Sequence, residues 1–288
     1  MPHAVHPSPL AGTWYPDDPQ ALRDMLDAGL ARAPALGLGS LRALVLPHAG
    51  YSYSADVALA GLAQVRSADY KRIVIIGPAH RVPLPGMVSA PSWDALATPL
   101  GEVPVDTGCI ATLQRHPAIS TVTQAHASEH SVQIQVPLIQ HCCGAVPLVP
   151  LVVGELDLAT TRSVARAIVD CIDADTLVVA STDFTHYGRN FGFVPFTDDI
   201  PANLERLDME VFARLQARDL PGWRERISQT GATICGRNSV GLLLAMLEAD
   251  DDDPAIELIA YTTSGVQTGD FSHCVSYLSA GVTGAWAE

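Results

Sequence analysis

The chain has 288 residues, 48% of them apolar and spread along its whole length, enough to bury a sizeable core. Thirty-one acidic against seventeen basic residues give a formal charge of -14, which repels phosphate backbones and anionic lipid and so argues against nucleic acid or membrane as partners. Six cysteines without a CxxC pair, no basic start ahead of a long apolar run and no stretch near about 18 consecutive apolar residues predict a reduced, soluble, cytoplasmic protein.

In chain order, the periodicity predicts a helix over Pro19 to Arg32, a strand over Leu41 to Leu46, a helix over Ala55 to Gln64 and a strand over Arg72 to Gly77. Helices at Asp106 to Arg115 and Val132 to Gln140 precede a strand at Pro147 to Val153. A helix at Leu158 to Ile172 leads to a strand at Thr176 to Ser181, and helices at Ala202 to Gln216 and Asn238 to Glu248 lead to strands at Ile256 to Thr263 and Cys274 to Ala280. Short β-branched runs alternating with amphipathic segments indicate an α/β fold with a mixed central β-sheet flanked by helices, in one domain over residues 1–288. The Pro and Gly clusters at Ala33 to Gly39 and Val82 to Gly86 read as connections, not linkers. The acidic run Asp250 to Asp253 reads as a solvated loop, since a calcium-binding EF-hand needs spaced carboxylates and a glycine.

Three predicted strands end in histidine-bearing turns. Leu44-Val45-Leu46 runs into Pro47-His48-Ala49-Gly50-Tyr51, and Val74-Ile75-Ile76-Gly77 runs into Pro78-Ala79-His80. Leu177 to Ala180 leads into Ser181-Thr182-Asp183-Phe184-Thr185-His186. In open α/β sheets ligands bind beyond the carboxyl ends of the strands, where such loops converge. Imidazole there serves as a neutral metal ligand or as an acid and base. Asp183 with His186 reads equally as a helix N-cap beside a loop histidine, and Glu129-His130-Ser131 as the capped start of a helix. Cys235, in Thr233-Ile234-Cys235-Gly236-Arg237, sits near a predicted helix N-terminus with Arg237 close by, and both influences favour thiolate; a buried, inert cysteine is the alternative.

Seven segments in order, Ala11 to Pro16, Pro47 to Tyr51, Gly77 to His80, Thr98 to Gly101, Glu129 to Ser131, Ser181 to Phe184 and Thr233 to Arg237, resemble the Memo family over nearly the whole chain. The resemblance implies a fold like the class III extradiol dioxygenases, whose non-haem iron(II) is held by two histidines and a carboxylate. On it, His48 and His80 match the two histidine ligands, Cys235 falls where the carboxylate stands, and His186 resembles the catalytic histidine. Trp14, Asp183 and His130 fall on motifs that surround the same cleft in Memo-like proteins. A thiolate in the carboxylate position is a softer donor, which shifts preference toward copper(I), zinc or thiolate-bound iron. It also exposes the ligand to oxidation wherever oxygen is activated.

Three functional expectations follow. In the first, iron(II) on His48, His80 and Cys235 binds a small dihydroxy substrate and oxygen while His186 moves protons and Asp183 orients that imidazole. In the second, the cleft handles a metal or captures a phosphotyrosine peptide, with Trp14 and Tyr51 stacking on the ring. In the third, Cys235 acts as a nucleophile with His186 as its base and no metal. Bacterial Memo-like proteins of AmmeMemoRadiSam systems are also associated with a radical S-adenosylmethionine protein and an AMMECR-type partner, which the resemblance extends to this chain as an expectation.

Overall fold

The computed structural model describes residues 3–66, 68–250 and 253–287. Its strands are β1 (Val5–His6), β2 (Leu41–Leu46), β3 (Arg72–Pro78), β4 (Val88–Ser89), β5 (Ala95–Thr98), β6 (Gly101–Pro104), β7 (Ile119–Ser120), β8 (Leu148–Val153), β9 (Thr176–Ser181), β10 (His186–Gly188), β11 (Ile256–Thr263) and β12 (His273–Thr283). Its helices are α1 (Pro19–Arg32), α2 (Tyr51–Ala63), α3 (Thr107–Leu113), α4 (Thr123–Ala127), α5 (His130–Gln133), α6 (Gln135–Cys143), α7 (Leu158–Val169), α8 (Ile200–Gln216), α9 (Leu220–Thr230), α10 (Arg237–Asp250) and α11 (Ser264–Thr268).

The expected mixed sheet flanked by helices is present. Strands β2, β9, β3 and β8 lie side by side and run parallel. Every residue of β2, β8 and β9 is buried, as a parallel sheet covered on both faces requires. The long β12 closes one side, pairing antiparallel with β2, β10 and β11, and β4 with β7 closes the other. A separate three-stranded sheet joins β1 to the hairpin of β5 and β6.

Several boundaries differ from the predicted ones for identifiable reasons. Helix α2 starts at Tyr51, four residues before the apolar pattern begins, because the Trp14 carbonyl accepts the Tyr51 N–H at 2.9 Å and Ser54 donates to the Ala49 carbonyl at 2.8 Å. The helix predicted over Val132 to Gln140 is two helices meeting at Ile134; Pro137 has no N–H to continue the ladder from the first into the second. Helix α9, hidden by Pro221 and Gly222, is capped by Asp219, which accepts the Gly222 N–H at 2.8 Å. No helix follows Asp183, so the N-cap reading fails there: His186 opens β10. In the acidic run, Asp250 is not solvated. Its side chain is 2% exposed and pairs with the equally buried side chain of Arg42 at 2.5 Å, Asp253 pairs with Arg218, and Asp251 and Asp252 lie outside the described residues.

Trp223 of α9 joins this layer to the sheet. Its ring is wholly buried, stands edge-on to Phe184 at 6.3 Å, and donates from Nε1 to the Arg237 carbonyl at 3.0 Å. Trp223→Ala is expected to cost about 3–5 kcal/mol by cavity formation. Trp223→Phe, which keeps a ring and removes the donor, is expected to cost about 1–2 kcal/mol. Denaturant midpoints at an unchanged slope check both.

Candidate metal centre

Three adjacent parallel strands end at the same rim, and each delivers its motif there. Pro47 turns the chain out of β2 to His48, β3 ends at Pro78 two residues before His80, and β9, which lies between them, ends in Ser181 and continues to Asp183. Two further elements close the cluster: Glu129 caps α5, whose first residue is His130, and Cys235 stands two residues before α10. The rings of His48 and His80 are 5.2 Å apart and those of His48 and His130 5.3 Å apart, both edge-on, while His80 and His130 stack at 4.4 Å.

The hydrogen bonds fix which nitrogen each imidazole presents. Ser181 Oγ donates its one proton to the Ser131 carbonyl at 2.6 Å and accepts a proton from Gln135 Nε2 at 2.9 Å. Its contact with His48 Nδ1 at 3.0 Å is therefore accepted from the ring, so the proton sits on Nδ1 and Nε2 carries a lone pair. Glu129 acts on His80 in the same way. Burial alone would raise its carboxyl, but hydrogen bonds from the His80 ring and from the His80 and Ser131 N–H groups hold it down to about 2. As an ionised acceptor it accepts the His80 Nδ1 N–H at 2.8 Å, so Nε2 is the nitrogen that ring has left for a ligand.

Burial holds His48, His130 and His186 below the usual imidazole range, His130 and His186 to about 4, with neighbouring imidazoles adding to the effect. All three are neutral near pH 7. Nδ1 of His130, 3.5 Å from Glu129 Oε1, and Nε2 of His186 are buried without a hydrogen-bond partner, which leaves both nitrogens open to a ligand. Neutral imidazoles with oriented second nitrogens are what a divalent transition metal needs, so these residues fit one.

Two groups of ligand atoms lie within 4.8 Å of one another: His48, His80 and His130, and His48, Asp183 and Cys235. His48 belongs to both. The expected set of His48, His80 and Cys235 does not form such a group among the described residues, because His80 leans to Glu129 and stacks on His130. Cys235 Sγ is 3.0 Å from His48 Nε2, a hydrogen-bond distance; two such ligands of one tetrahedral ion stand about 3.5 Å apart.

Other expectations are corrected. Burial and the facing Asp183 carboxylate push the Cys235 thiol up, outweighing the helix start, and Arg237 is engaged by Glu155 at 2.5 Å. The metal-free cysteine is a thiol, which removes the basis for nucleophilic chemistry without metal. Asp183 does not orient His186. It accepts the His48 backbone N–H at 2.8 Å, and burial raises its carboxyl to about 7. His186 is held instead by Thr233, whose hydroxyl accepts its N–H at 3.0 Å and donates to its carbonyl at 2.6 Å. Tyr51 is unavailable for stacking on a ligand, being 4% exposed, packed on Tyr15 and bonded to the Ile134 carbonyl at 2.9 Å. Trp14 is in place, its ring 4.7 Å from that of His130. Glu129 and Ser181 stand in two of the seven family segments and read in sequence as a helix cap and a strand end, with no local signal for the histidines they anchor. Gly236 also has a steric role: a Cβ there would meet Thr182 Cβ at 2.3 Å, so only glycine lets the Cys235 loop approach β9 this closely.

The model of Memo-like proteins matches residues 6–281. A MEMO1 family protein of Methanopyrus kandleri is 33% identical, over 93% of this chain and 95% of its own. A MEMO1 family protein of Schizosaccharomyces pombe is 28% identical, over 97% and 99%. Among solved structures, an uncharacterized Escherichia coli K12 protein superimposes with a TM-score of 0.51 at 14% identity, over 84% of this chain and all of that one, a likeness of fold alone. With nearly its whole length matched, the chain belongs to the family of Memo-like proteins.

Proposed function

We propose that the chain is a metal-dependent oxidoreductase acting on a small dihydroxy-aromatic substrate, with non-haem iron(II) as the metal and copper or zinc as the competing ions. The observation that carries the reading is a matched pair of anchors: Ser181 and Glu129 each accept the Nδ1 N–H of a histidine, so that His48 and His80 both have Nε2 left for a ligand. His48 and His80 would hold the ion, with Cys235 or His130 as third donor. A bound redox-active ion would supply Lewis acidity and an electron source for oxygen.

The chain's own groups would do the rest. His186, neutral near pH 7 and unpartnered at Nε2, is suited to accept a proton from a substrate hydroxyl, and Thr233 fixes its backbone for that task. Asp183 holds the His48 loop through the backbone N–H and keeps the imidazole aligned. Trp14 packs on His130 and offers an aromatic face beside the cluster.

A second reading, metal handling without turnover, draws support from the Cys235 sulfur at 3.0 Å from His48 Nε2, a soft donor suited to copper(I).

Anaerobic purification with elemental analysis is expected to show one metal per chain, lost in His48→Ala and His80→Ala. Cys235→Ala and His130→Ala, compared side by side, identify the third donor as the one whose removal empties the site. Glu129→Gln is expected to weaken metal affinity about 10–100-fold without abolishing it, read by chelator competition. With metal loaded, catechol-type substrates should drive oxygen consumption, and His186→Gln should lower kcat about 10²–10⁴-fold at full metal occupancy. Silence across such a panel in the fully loaded protein overturns the oxidoreductase reading and leaves metal handling.

A further inference from the structure

At the opposite end of β9 from the histidines, two cysteines far apart in sequence meet. Cys109 lies in α3, and Cys171 lies in the turn between α7 and β9; their sulfurs are 2.8 Å apart across 62 positions of chain. Both are free thiols. The bonded S–S distance is about 2.05 Å, so closing the pair needs less than about 1 Å of movement.

The surroundings hold the two segments together and make the thiols unequal. Arg72 reaches both sides: Nε donates to Asp106 Oδ2 at 2.8 Å and a terminal nitrogen donates to the Cys171 carbonyl at 3.3 Å. Asp106 in turn caps α3 by accepting the Cys109 N–H at 2.9 Å. Cys109 is 5% exposed, whereas Cys171 is partly open to solvent. The contact between the two sulfurs favours the Cys171 thiolate against the opposing effect of burial, and the Arg72 guanidinium adds to it while Asp106 opposes; the same contact and burial push Cys109 up, and as a thiol Cys171 reaches the Cys109 carbonyl at 3.7 Å.

We propose that Cys109 and Cys171 form a reversible redox site that is oxidised by a hydroperoxide, with Cys171 as the attacking thiol and Cys109 as the resolving one. The Cys171 thiolate attacks one peroxide oxygen; an S–O bond forms, the O–O bond breaks, and the departing hydroxide (or alkoxide) takes up a proton. Cys109 then attacks the Cys171 sulfenic sulfur. The S–S bond forms, the S–O bond breaks, and the leaving hydroxide carries away the Cys109 proton as water. Two thiols lose two electrons and, with hydrogen peroxide, two waters result. The site shares no residue with the histidine cluster and stands whether or not the proposed oxidoreductase activity does.

The test uses the full-length, pre-reduced chain, treated with stoichiometric hydrogen peroxide, quenched with iodoacetamide and read by intact mass and peptide mapping. The expected result is the loss of two alkylation sites and of the mass of two hydrogen atoms, a Cys109–Cys171 cross-linked peptide, and full recovery of both thiols with dithiothreitol. In Cys109→Ser the Cys171 sulfenic acid should persist and be trapped by dimedone, whereas in Cys171→Ser the Cys109 thiol should survive the same dose. The proposal is overturned if wild type keeps both thiols alkylatable at a dose that modifies other cysteines of the chain. It is equally overturned if Cys171 advances to sulfinic acid without cross-linking.

Discussion

The hydroxyl of Ser181 has one proton and two lone pairs, and the fold commits all three. The proton goes to the Ser131 carbonyl; the lone pairs take Gln135 Nε2 and His48 Nδ1. A saturated hydroxyl at 0% exposure cannot rotate to serve another partner without leaving a buried group unsatisfied. His48 is therefore locked in one tautomer, and everything that faces its Nε2, from the Cys235 sulfur to any metal, meets a lone pair. Ser181 also joins four segments, the end of β9, α5, the start of α6 and the loop after β2, so the chemistry of the site and its assembly share one atom.

The surrounding charge pattern follows from the same low-dielectric setting. Burial keeps His130 and His186 neutral, raises Asp183, and keeps the Cys235 sulfur protonated in the absence of metal. Glu129 is the exception, ionised although buried, because three N–H donors converge on it. That fixed negative charge beside the neutral imidazoles of His48, His130 and His186 is an arrangement that a divalent cation would complete.

Much of the frame was legible in the residues. Strands Leu41–Leu46, Thr176–Ser181 and Ile256–Thr263 and helix Pro19–Arg32 have the predicted bounds, because long apolar runs and an Asp-Pro helix start are local signals. His48 and His80 were readable as strand-end residues for the same reason. What was not legible depends on distant partners. Glu129 resembled a helix cap, which it also is, and its hold on His80 spans 49 positions. Tyr51 looked like a cleft aromatic until its hydroxyl was found bonded 83 positions away at Ile134. Asp250 looked solvated because a run of acids normally is, but its side chain is held by Arg42, 208 positions away, and by the Ala287 N–H.

The strand order β2, β9, β3 sets a ruler across the site. Neighbouring strands stand about 4.8 Å apart, so the exits carrying His48 and His80 are separated by about 10 Å with the Ser181 exit between them. Two imidazoles leaning inward from those exits can share one ion, and the sheet, being buried on both faces, gives that spacing no freedom to drift. His130 and Cys235 ride instead on helix starts, outside the sheet's lattice. The histidine pair thus forms a fixed gauge, while a third donor, and the size of ion it would admit, would be set by how the helical layer settles on the sheet.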